Sequence, residues 1–190
     1  MKSSVKQVWK VGFVVVLLLG VLDLGSSEVY QITLSPTDQC PAEVCLTLNH
    51  FANNLSAYPH SSTVMIFNSG NHSLEVNVSI TDIIMLALIS NVIVPRTLVA
   101  CDHRAVLIFN NVSCVHISNL TFVGCALQLM FVNKLILENS QFLGGTDASS
   151  TALELFKTSA IFIRSQFRYN TANKFNCRMY LATFTVHGMN

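Results

Sequence analysis

Three segments of the chain align without gaps: VHISNLTF at residues 115–122, LILENSQF at 135–142 and AIFIRSQF at 160–167. They end at Phe122, Phe142 and Phe167, so the closing phenylalanine recurs after 20 and then 25 residues. The first, third and last positions are apolar in every segment and are expected to point the same way. A period of this length is typical of solenoids, in which each unit buries its apolar side against the next. We therefore expect the three phenylalanines to stack in one interior column.

Two solenoid classes share this period, and the residue at the bend separates them. Residues 132–137 imitate the first half of a leucine-rich repeat, but that repeat then needs Asn or Cys inside the turn. The position is held instead by Leu120, Ser140 and Ser165. Asn119 and Asn139 stand one place earlier, where asparagine tolerates the left-handed conformation of a tight bend, and Arg164 takes that place in the third segment. This arrangement favours a parallel β-helix.

The fold prediction is therefore an all-β protein with a single-stranded parallel β-helix over residues 61–175, of about five coils. A cap segment over residues 28–60 precedes it, with a short helix because residues 48, 51, 52 and 55 place apolar side chains on one helical face. Residues 73–80 alternate apolar and polar, which predicts one half-buried strand. The repeat lapses after residue 175, so residues 176–190 are predicted to be an irregular tail, and the short coil count favours a longer parent protein.

Residues 1–27 have the three parts of a secretory signal peptide. Basic residues come first, then an uncharged run over residues 11–22, then small residues before the mature chain. The basic and small residues are Lys2, Lys6, Lys10, Gly25, Ser26 and Ser27. A run of this length is too short to cross the hydrocarbon core as a helix, so we expect cleavage and no membrane span in the mature chain. The predicted location is secreted or extracellular, or the cell surface if a longer form carries an anchor.

Secretion gives meaning to five Asn-x-Ser/Thr sequons, each a potential N-glycosylation site. The acceptor residues are Asn54, Asn71, Asn77, Asn111 and Asn119. Only 11% of the residues are charged, against roughly 25% in ordinary soluble domains, so attached sugar would supply the missing solubility. Two predictions for Asn119 conflict, because an asparagine that is buried at the bend, stacked on its equivalents in neighbouring coils, cannot also carry sugar.

Six cysteines fall in the same oxidising compartment, where thiols usually pair. Cys40 and Cys45 are close enough in sequence for a local disulfide at the head of the mature domain. The spacing leaves the partners of the other four open, as bonded or simply buried residues. These are Cys101, Cys114, Cys125 and Cys177. His50 and His60 lie near the first pair, but no second cysteine pair follows at zinc-finger spacing, so we predict no metal and no cofactor.

No catalytic set is predicted from the acidic and basic residues. Glu138 and Glu154 occupy different repeat positions and should face different sides, and residues 102–104 (Asp-His-Arg) form the densest polar group but suit an exposed turn. His116 lies at an outward repeat position without a nucleophile placed beside it. The formal net charge of +1 provides no basic field for nucleic acid.

The segment ISNLTF at residues 117–122 resembles the coil motif of right-handed parallel β-helix proteins of the pectate-lyase-like superfamily. More closely, residues 30–172 are similar to uncharacterised secreted β-helix proteins of simple animals, through CLTL at 45–48, GNHSL at 70–74 and NNVSCVHISNLTF at 110–122. The resemblance implies a right-handed coil following a cap. It implies no particular activity.

We therefore expect an extracellular, non-enzymatic module with a structural or recognition role, whose partner is an extracellular glycan or protein. The alternative is a polysaccharide lyase or hydrolase of the same superfamily, which would work through clustered carboxylates. A further expectation is self-association by strand pairing at an uncapped last coil.

Overall fold

The computed structural model of the protein describes residues 29–36, 46–54, 62–92, 97–102, 105–144, 153–168, 177–180 and 183–187, and short parallel strands make up most of these residues. Paired strands belong to successive passes of the chain and not to hairpins. Two adjacent parallel strands need a long connection that brings the chain back to the end of the sheet where the first strand began. In this protein that connection runs through the other two sheets.

The strands of the described chain form three sheets, named A, B and C. Sheet A contains β1 (Val29–Leu34), β2 (Ser62–Phe67), β5 (Met85–Ser90), β8 (Cys114–Ser118), β11 (Lys134–Glu138), β14 (Ser159–Ile163) and β17 (Thr183–His187). Sheet B contains β3 (Asn71–Leu74), β6 (Thr97–Cys101), β9 (Leu120–Val123), β12 (Gln141–Leu143) and β15 (Gln166–Arg168). Sheet C contains β4 (Val78–Thr81), β7 (Val106–Asn110), β10 (Ala126–Met130), β13 (Leu153–Phe156) and β16 (Cys177–Tyr180).

From β2 onward the chain visits sheets A, B and C in rotation, and the pairings within each sheet are parallel. An all-β protein with stacked parallel sheets is confirmed, and this topology is compatible with a parallel β-helix. The register is continuous: Val115 pairs with Leu135, which pairs in turn with Ala160. Apolar residues therefore line up from coil to coil, and the core is a column enclosed by the three sheets.

The rings of Phe122, Phe142 and Phe167 lie on the inward side of sheet B, in neighbouring strands. Phe122 and Phe142 have ring centroids 4.9 Å apart and planes 11° apart, and Phe142 and Phe167 have centroids 5.0 Å apart at the same angle. This spacing matches the distance between neighbouring strands, about 4.8 Å, because each strand contributes one ring to the stack. Val99 and His72 continue the same row on the preceding strands.

A short helix, α1 (Leu48–Asn53), covers the interior beside β3. It begins where the Thr47 hydroxyl accepts a hydrogen bond from the His50 N–H at 3.1 Å, as expected of an N-cap residue. Leu48 and Phe51 are buried and Ala52 is partly buried, as the predicted apolar face requires, while residue 55 lies outside the described residues. The Asn49 side chain fixes the helix to the sheet by accepting a hydrogen bond from the Glu75 N–H at 2.9 Å.

The strand boundaries differ from the sequence prediction in three places. Residues 73–80 do not form one strand, because the chain turns between Leu74 and Val78 and passes from sheet B to sheet C. β1 lies within the segment predicted as a cap, yet it pairs in parallel with β2. β16 and β17 lie in the segment predicted to be irregular and extend sheets C and A. Backbone pairing does not require the closing phenylalanine used to recognise a coil.

A disulfide joins Cys101, at the end of β6, to Cys125, just before β10. The bonded residues are 24 positions apart and lie in successive coils, with a Cα–Cα distance of 4.9 Å. Cys114 is a free, buried cysteine. The predicted Cys40–Cys45 bond lies outside the described residues. The side chain of Cys177 is likewise not among those described.

We predict that Phe142→Ala destabilises the protein by about 3–5 kcal/mol, because it removes the central ring of the stack and leaves a cavity between two neighbours. Urea unfolding followed by circular dichroism measures the change. Gln141→Ala is the matched control, since it alters the adjacent outward residue and removes only the hydrogen bond from Gln141 Nε2 to Gln166 Oε1, so it should cost about 1 kcal/mol. Equal losses in the two variants would show that the ring stack does not stabilise the coils.

Reduction of the Cys101–Cys125 bond should lower the free energy of unfolding by about 3 kcal/mol, as expected for releasing a loop of this length. Unfolding of a Cys101→Ala/Cys125→Ala variant, with and without reductant, measures this loss. The Cys114→Ala variant is the control and should retain the full response to reductant. An unchanged response in the double variant would assign the effect of reductant to other cysteines.

Candidate functional site

The acidic residues considered from the sequence lie on different sheets or in loops of the fold. Asp102 is exposed immediately after β6, while His103 and Arg104 lie outside the described residues. Glu138 lies on sheet A and Glu154 on sheet C, where the Glu154 carboxylate accepts a hydrogen bond from Gln128 Nε2 at 3.1 Å. Nowhere in the described ranges do three or more His, Cys, Asp or Glu side chains gather in a group able to hold a metal ion.

His116 and Glu138 are two potentially reactive side chains that lie close together on sheet A. Nε2 of His116 lies 3.5 Å from Oε2 of Glu138, which is too long for a good hydrogen bond. His116 is only 5% exposed although it lies at an outward strand position. Burial lowers the pKa of its imidazole below the ordinary 6.5, and the Glu138 carboxylate opposes that shift. The side chain of His116 therefore points outward from the strand, as expected, but it is buried.

Cys114 lies on the same strand, two residues before His116, and is also buried. Burial raises the pKa of its thiol above the ordinary 9.0, and the charge of Lys134 opposes this shift. A thiol is nucleophilic as its thiolate, so a raised pKa makes Cys114 a poor nucleophile at neutral pH. This face of β8 therefore has the residue types of a cysteine-dependent site without the electrostatics of one.

His72 lies in the interior, on the inward row of sheet B, and is 1% exposed. Its Nε2 lies 2.9 Å from the Asn68 carbonyl oxygen, so the Nε2–H tautomer donates this hydrogen bond. The ring packs edge-on against Phe67 with centroids 5.0 Å apart. Burial lowers the pKa of His72, with the Asn68 bond opposing the shift. His72 is accordingly a neutral core residue.

Two columns of residues with positive φ turn the chain between sheets. The residues immediately after strands of sheet C form the C-to-A corner, and those after strands of sheet A form the A-to-B corner. The C-to-A corner consists of Asp82, Asn111, Phe131 and Lys157, with φ of 58°, 53°, 55° and 47°. The A-to-B corner consists of Asn119, Asn139 and Arg164, with φ of 60°, 47° and 50°. The bend expected at Asn119 and Asn139 is present, and Arg164 adopts it as well.

Residues of both corners donate their backbone N–H groups to carbonyls of the next coil. In the C-to-A corner, the Asn111 N–H bonds to the Met130 oxygen at 3.0 Å, and the Phe131 N–H bonds to the Phe156 oxygen at 2.9 Å. In the A-to-B corner, the Asn119 N–H bonds to the Glu138 oxygen at 3.1 Å. The corners therefore keep the coil-to-coil ladder unbroken while the chain changes direction.

Phe131 is an unusual residue for such a corner. A bulky side chain in the left-handed region costs about 1–2 kcal/mol, and Phe131 is also 46% exposed. Its ring meets Phe156 edge-on with centroids 5.3 Å apart, and the Lys157 ammonium lies 5.2 Å from its centroid. We call Phe131, Phe156 and Lys157 the aromatic corner. An exposed and strained aromatic is a recognised mark of a functional position. Sequence reasoning missed it because the residues of this corner share no side-chain type.

The sequon asparagines differ in accessibility. Asn54, Asn71, Asn77 and Asn111 are exposed. Asn119 is partly buried: its Nδ2 donates to the Ser90 carbonyl oxygen at 3.2 Å, and its Oδ1 is buried without a hydrogen-bond partner. The nitrogen that would carry sugar at Asn119 is thus used within the fold, as the conflict noted in the sequence implies.

No family model matches this chain, and neither a curated protein nor a solved structure is significantly similar to it. Among the residues described, no helix is both long and apolar enough to cross a bilayer. Function is therefore inferred from the side chains and their geometry.

The buried histidines predict a loss of stability in acid. Because the folded pKa values of His72 and His116 are lowered, the unfolded chain binds protons first as pH falls through 6.5. We expect the free energy of unfolding to be greatest above that pH and to fall below it, by at most about 1.4 kcal/mol per pH unit for each histidine. Urea unfolding between pH 5 and pH 8 (about the range in which histidine titrates) measures the slope. The His72→Gln/His116→Gln variant should flatten it, and an unchanged slope would assign the acid effect to other groups.

Proposed function

We propose that this protein is an extracellular, non-enzymatic module with a recognition role, built as a right-handed parallel β-helix of the pectate-lyase-like kind, with about five coils over residues 61–175. The observation that carries the recognition role is the outward face of sheet A. Its outward rows hold partly exposed aliphatic side chains in two groups, separated by the buried His116 and Ser118 of β8. The first group lies on β2 and β5 (Val64, Ile66 and Ile89), and the second lies on β11 and β14 (Ile136, Ile161 and Ile163). Partly exposed apolar groups on one sheet favour a protein partner.

Features elsewhere in the chain support an extracellular location. A structural disulfide such as Cys101–Cys125 persists in oxidising compartments and is rare in the cytosol. Four sequon asparagines are exposed, as glycosylation requires. The leader over residues 1–27 has the composition of a signal peptide and lies outside the described residues. Together these observations favour a secreted protein.

The non-enzymatic part of the proposal rests on the state of the polar groups. The pKa of the Cys114 thiol is raised, and His116 is held by burial in its neutral form at an inaccessible position. Glu138 and Glu154 stand on different sheets and do not share one face, as the acid and base of a glycosidase would. The alternative, a polysaccharide lyase or hydrolase, would need a reacting pair of carboxylates on one face.

The proposal predicts a secreted, glycosylated and disulfide-bonded protein that binds without chemical change to its partner. The full chain would be expressed in animal cells. Protein recovered from the culture medium would be analysed by mass spectrometry to identify its amino terminus, its attached sugar and its cysteine pairing. Purified protein would then be tested for binding to immobilised extracellular matrix proteins and polysaccharides, and for release of reducing ends or unsaturated products.

Replacement of Ile136 and Ile161 by threonine tests the binding face, because it removes apolar surface while keeping β-branched side chains. We expect this variant to lose at least tenfold in affinity, about 1.4 kcal/mol, for the protein ligand found in the screen. The matched control is Gln141→Thr/Gln166→Thr on the outward side of sheet B, where Gln141 Nε2 bonds to Gln166 Oε1 at 3.0 Å. Retention inside the cell without sugar would refute the extracellular assignment. Product release from a polysaccharide would establish the enzymatic alternative.

A further inference from the structure

Asn111 and Phe131 occupy equivalent positions of successive coils. Asn110 pairs with Met130 in the register of β7 and β10, so the residues that follow them are neighbours in the C-to-A corner. Their φ values are 53° and 55°, and both side chains are exposed. Equal backbone conformations about 4.8 Å apart direct the two side chains the same way from the corner.

Asn111 is also the acceptor residue of the sequon Asn111-Val112-Ser113. Its Nδ2 donates a hydrogen bond to Oδ1 of Asp82 at 2.6 Å, on the side of the corner away from Phe131. Attachment of sugar replaces one of the two Nδ2 hydrogens and leaves the other. The bond to Asp82 can therefore persist in the glycosylated protein, with the sugar directed away from it.

The geometry points to the first N-acetylglucosamine of a glycan on Asn111 packing against the ring of Phe131. A pyranose ring presents axial C–H groups on one face, and these pack well on the electron-rich face of an aromatic ring. Lys157, the neighbour of Phe131 on the opposite side of the column, already holds its ammonium near the ring. The sugar would cover part of this exposed ring from the side of Asn111 and offset the cost of exposing a strained phenylalanine. This inference rests on the proposed secretion, which is needed for any sugar to be attached.

None of the other described sequons has an exposed aromatic residue at the equivalent position of the next coil. Asn54 lies at the end of α1, outside the stacked strands, and its Nδ2 donates to the His50 carbonyl oxygen at 2.9 Å. Asn71 pairs with Leu98 in the neighbouring strand. Asn77 is used as an acceptor, since its Oδ1 takes the Val106 N–H at 2.8 Å. Asn119 is partly buried, and its neighbour in the A-to-B corner of the next coil is Asn139. Asn111 is thus distinguished by an exposed aromatic neighbour, which makes it the sequon at which sugar and fold should be coupled.

The test compares sequon and ring variants of the secreted glycoprotein. Ser113→Ala removes the glycan at Asn111 and leaves the bond between Asn111 and Asp82, while Ser79→Ala, at an exposed position, removes the glycan at Asn77 as the matched control. We expect Ser113→Ala to lower the thermal midpoint by about 2–4 °C and Ser79→Ala to leave it nearly unchanged. In the Phe131→Leu background, which keeps apolar bulk without the ring, Ser113→Ala should have no further effect.

Two additional measurements separate packing from general effects of sugar. Trimming every glycan to its first N-acetylglucosamine with an endoglycosidase should preserve the difference between wild type and Ser113→Ala. In the NMR spectrum of the glycoprotein, ring protons of that sugar should shift upfield and return to normal positions in Phe131→Leu. For unglycosylated protein made in bacteria, Ser113→Ala should change the midpoint little.

The inference is overturned if Asn111 carries sugar but Ser113→Ala has the same effect with and without the ring, or if the sugar protons are unshifted. It is equally overturned if Asn71 and Asn77 are glycosylated and Asn111 is not. A chain that is retained in the cell and carries no sugar at any sequon would instead refute the proposed extracellular function, so the two failures are distinguishable.

Discussion

The architecture depends on the chain's ability to change direction at a single residue without breaking its backbone hydrogen bonds. A parallel stack of sheets provides no turn between adjacent strands, so each corner must reorient the chain and still present its N–H to the next coil. Asn111 and Asn119 do both, through positive φ and a hydrogen bond to the following coil. Where Phe131 or Arg164 takes the same conformation, the neighbouring coils impose it on a side chain that disfavours it.

Buried polar side chains beside the corners bond to the backbone groups of the turn. Ser140 and Ser165 follow the A-to-B corner and are fully buried. The Ser140 hydroxyl accepts from the Leu120 N–H at 3.4 Å and donates to the Glu138 carbonyl at 2.9 Å, and Ser165 accepts from the Ser140 N–H at 3.3 Å. Each hydroxyl thus satisfies backbone groups that bending leaves without strand partners. A buried serine in this position is a structural part of the turn.

The strands could be predicted from the sequence where their interior side chains repeat at regular intervals. The period of Phe122, Phe142 and Phe167 identifies the strands because the interior accepts apolar residues at fixed intervals. It failed at β1, β16 and β17, which pair through the backbone and lack that marker.

The features that bear on function were harder to foresee. The burial of His116 was missed because alternation gives the direction of a side chain and not the size of its neighbours. The Cys101–Cys125 bond and the aromatic corner join residues whose proximity depends on coil length, which the spacing of residues in sequence does not determine.

A solenoid whose coils touch only their neighbours has a mechanical weakness: a force applied along its axis can peel away one coil at a time. The cystine between Cys101 and Cys125 changes that behaviour locally, because the backbone between these residues cannot be drawn out while the bond is intact. Under tension, coils would unfold one after another until the segment between the two cysteines is reached. This segment would not lengthen while the disulfide is intact, and extension would continue with the coils beyond it. The protein would therefore extend in two stages, separated by the disulfide-bonded segment.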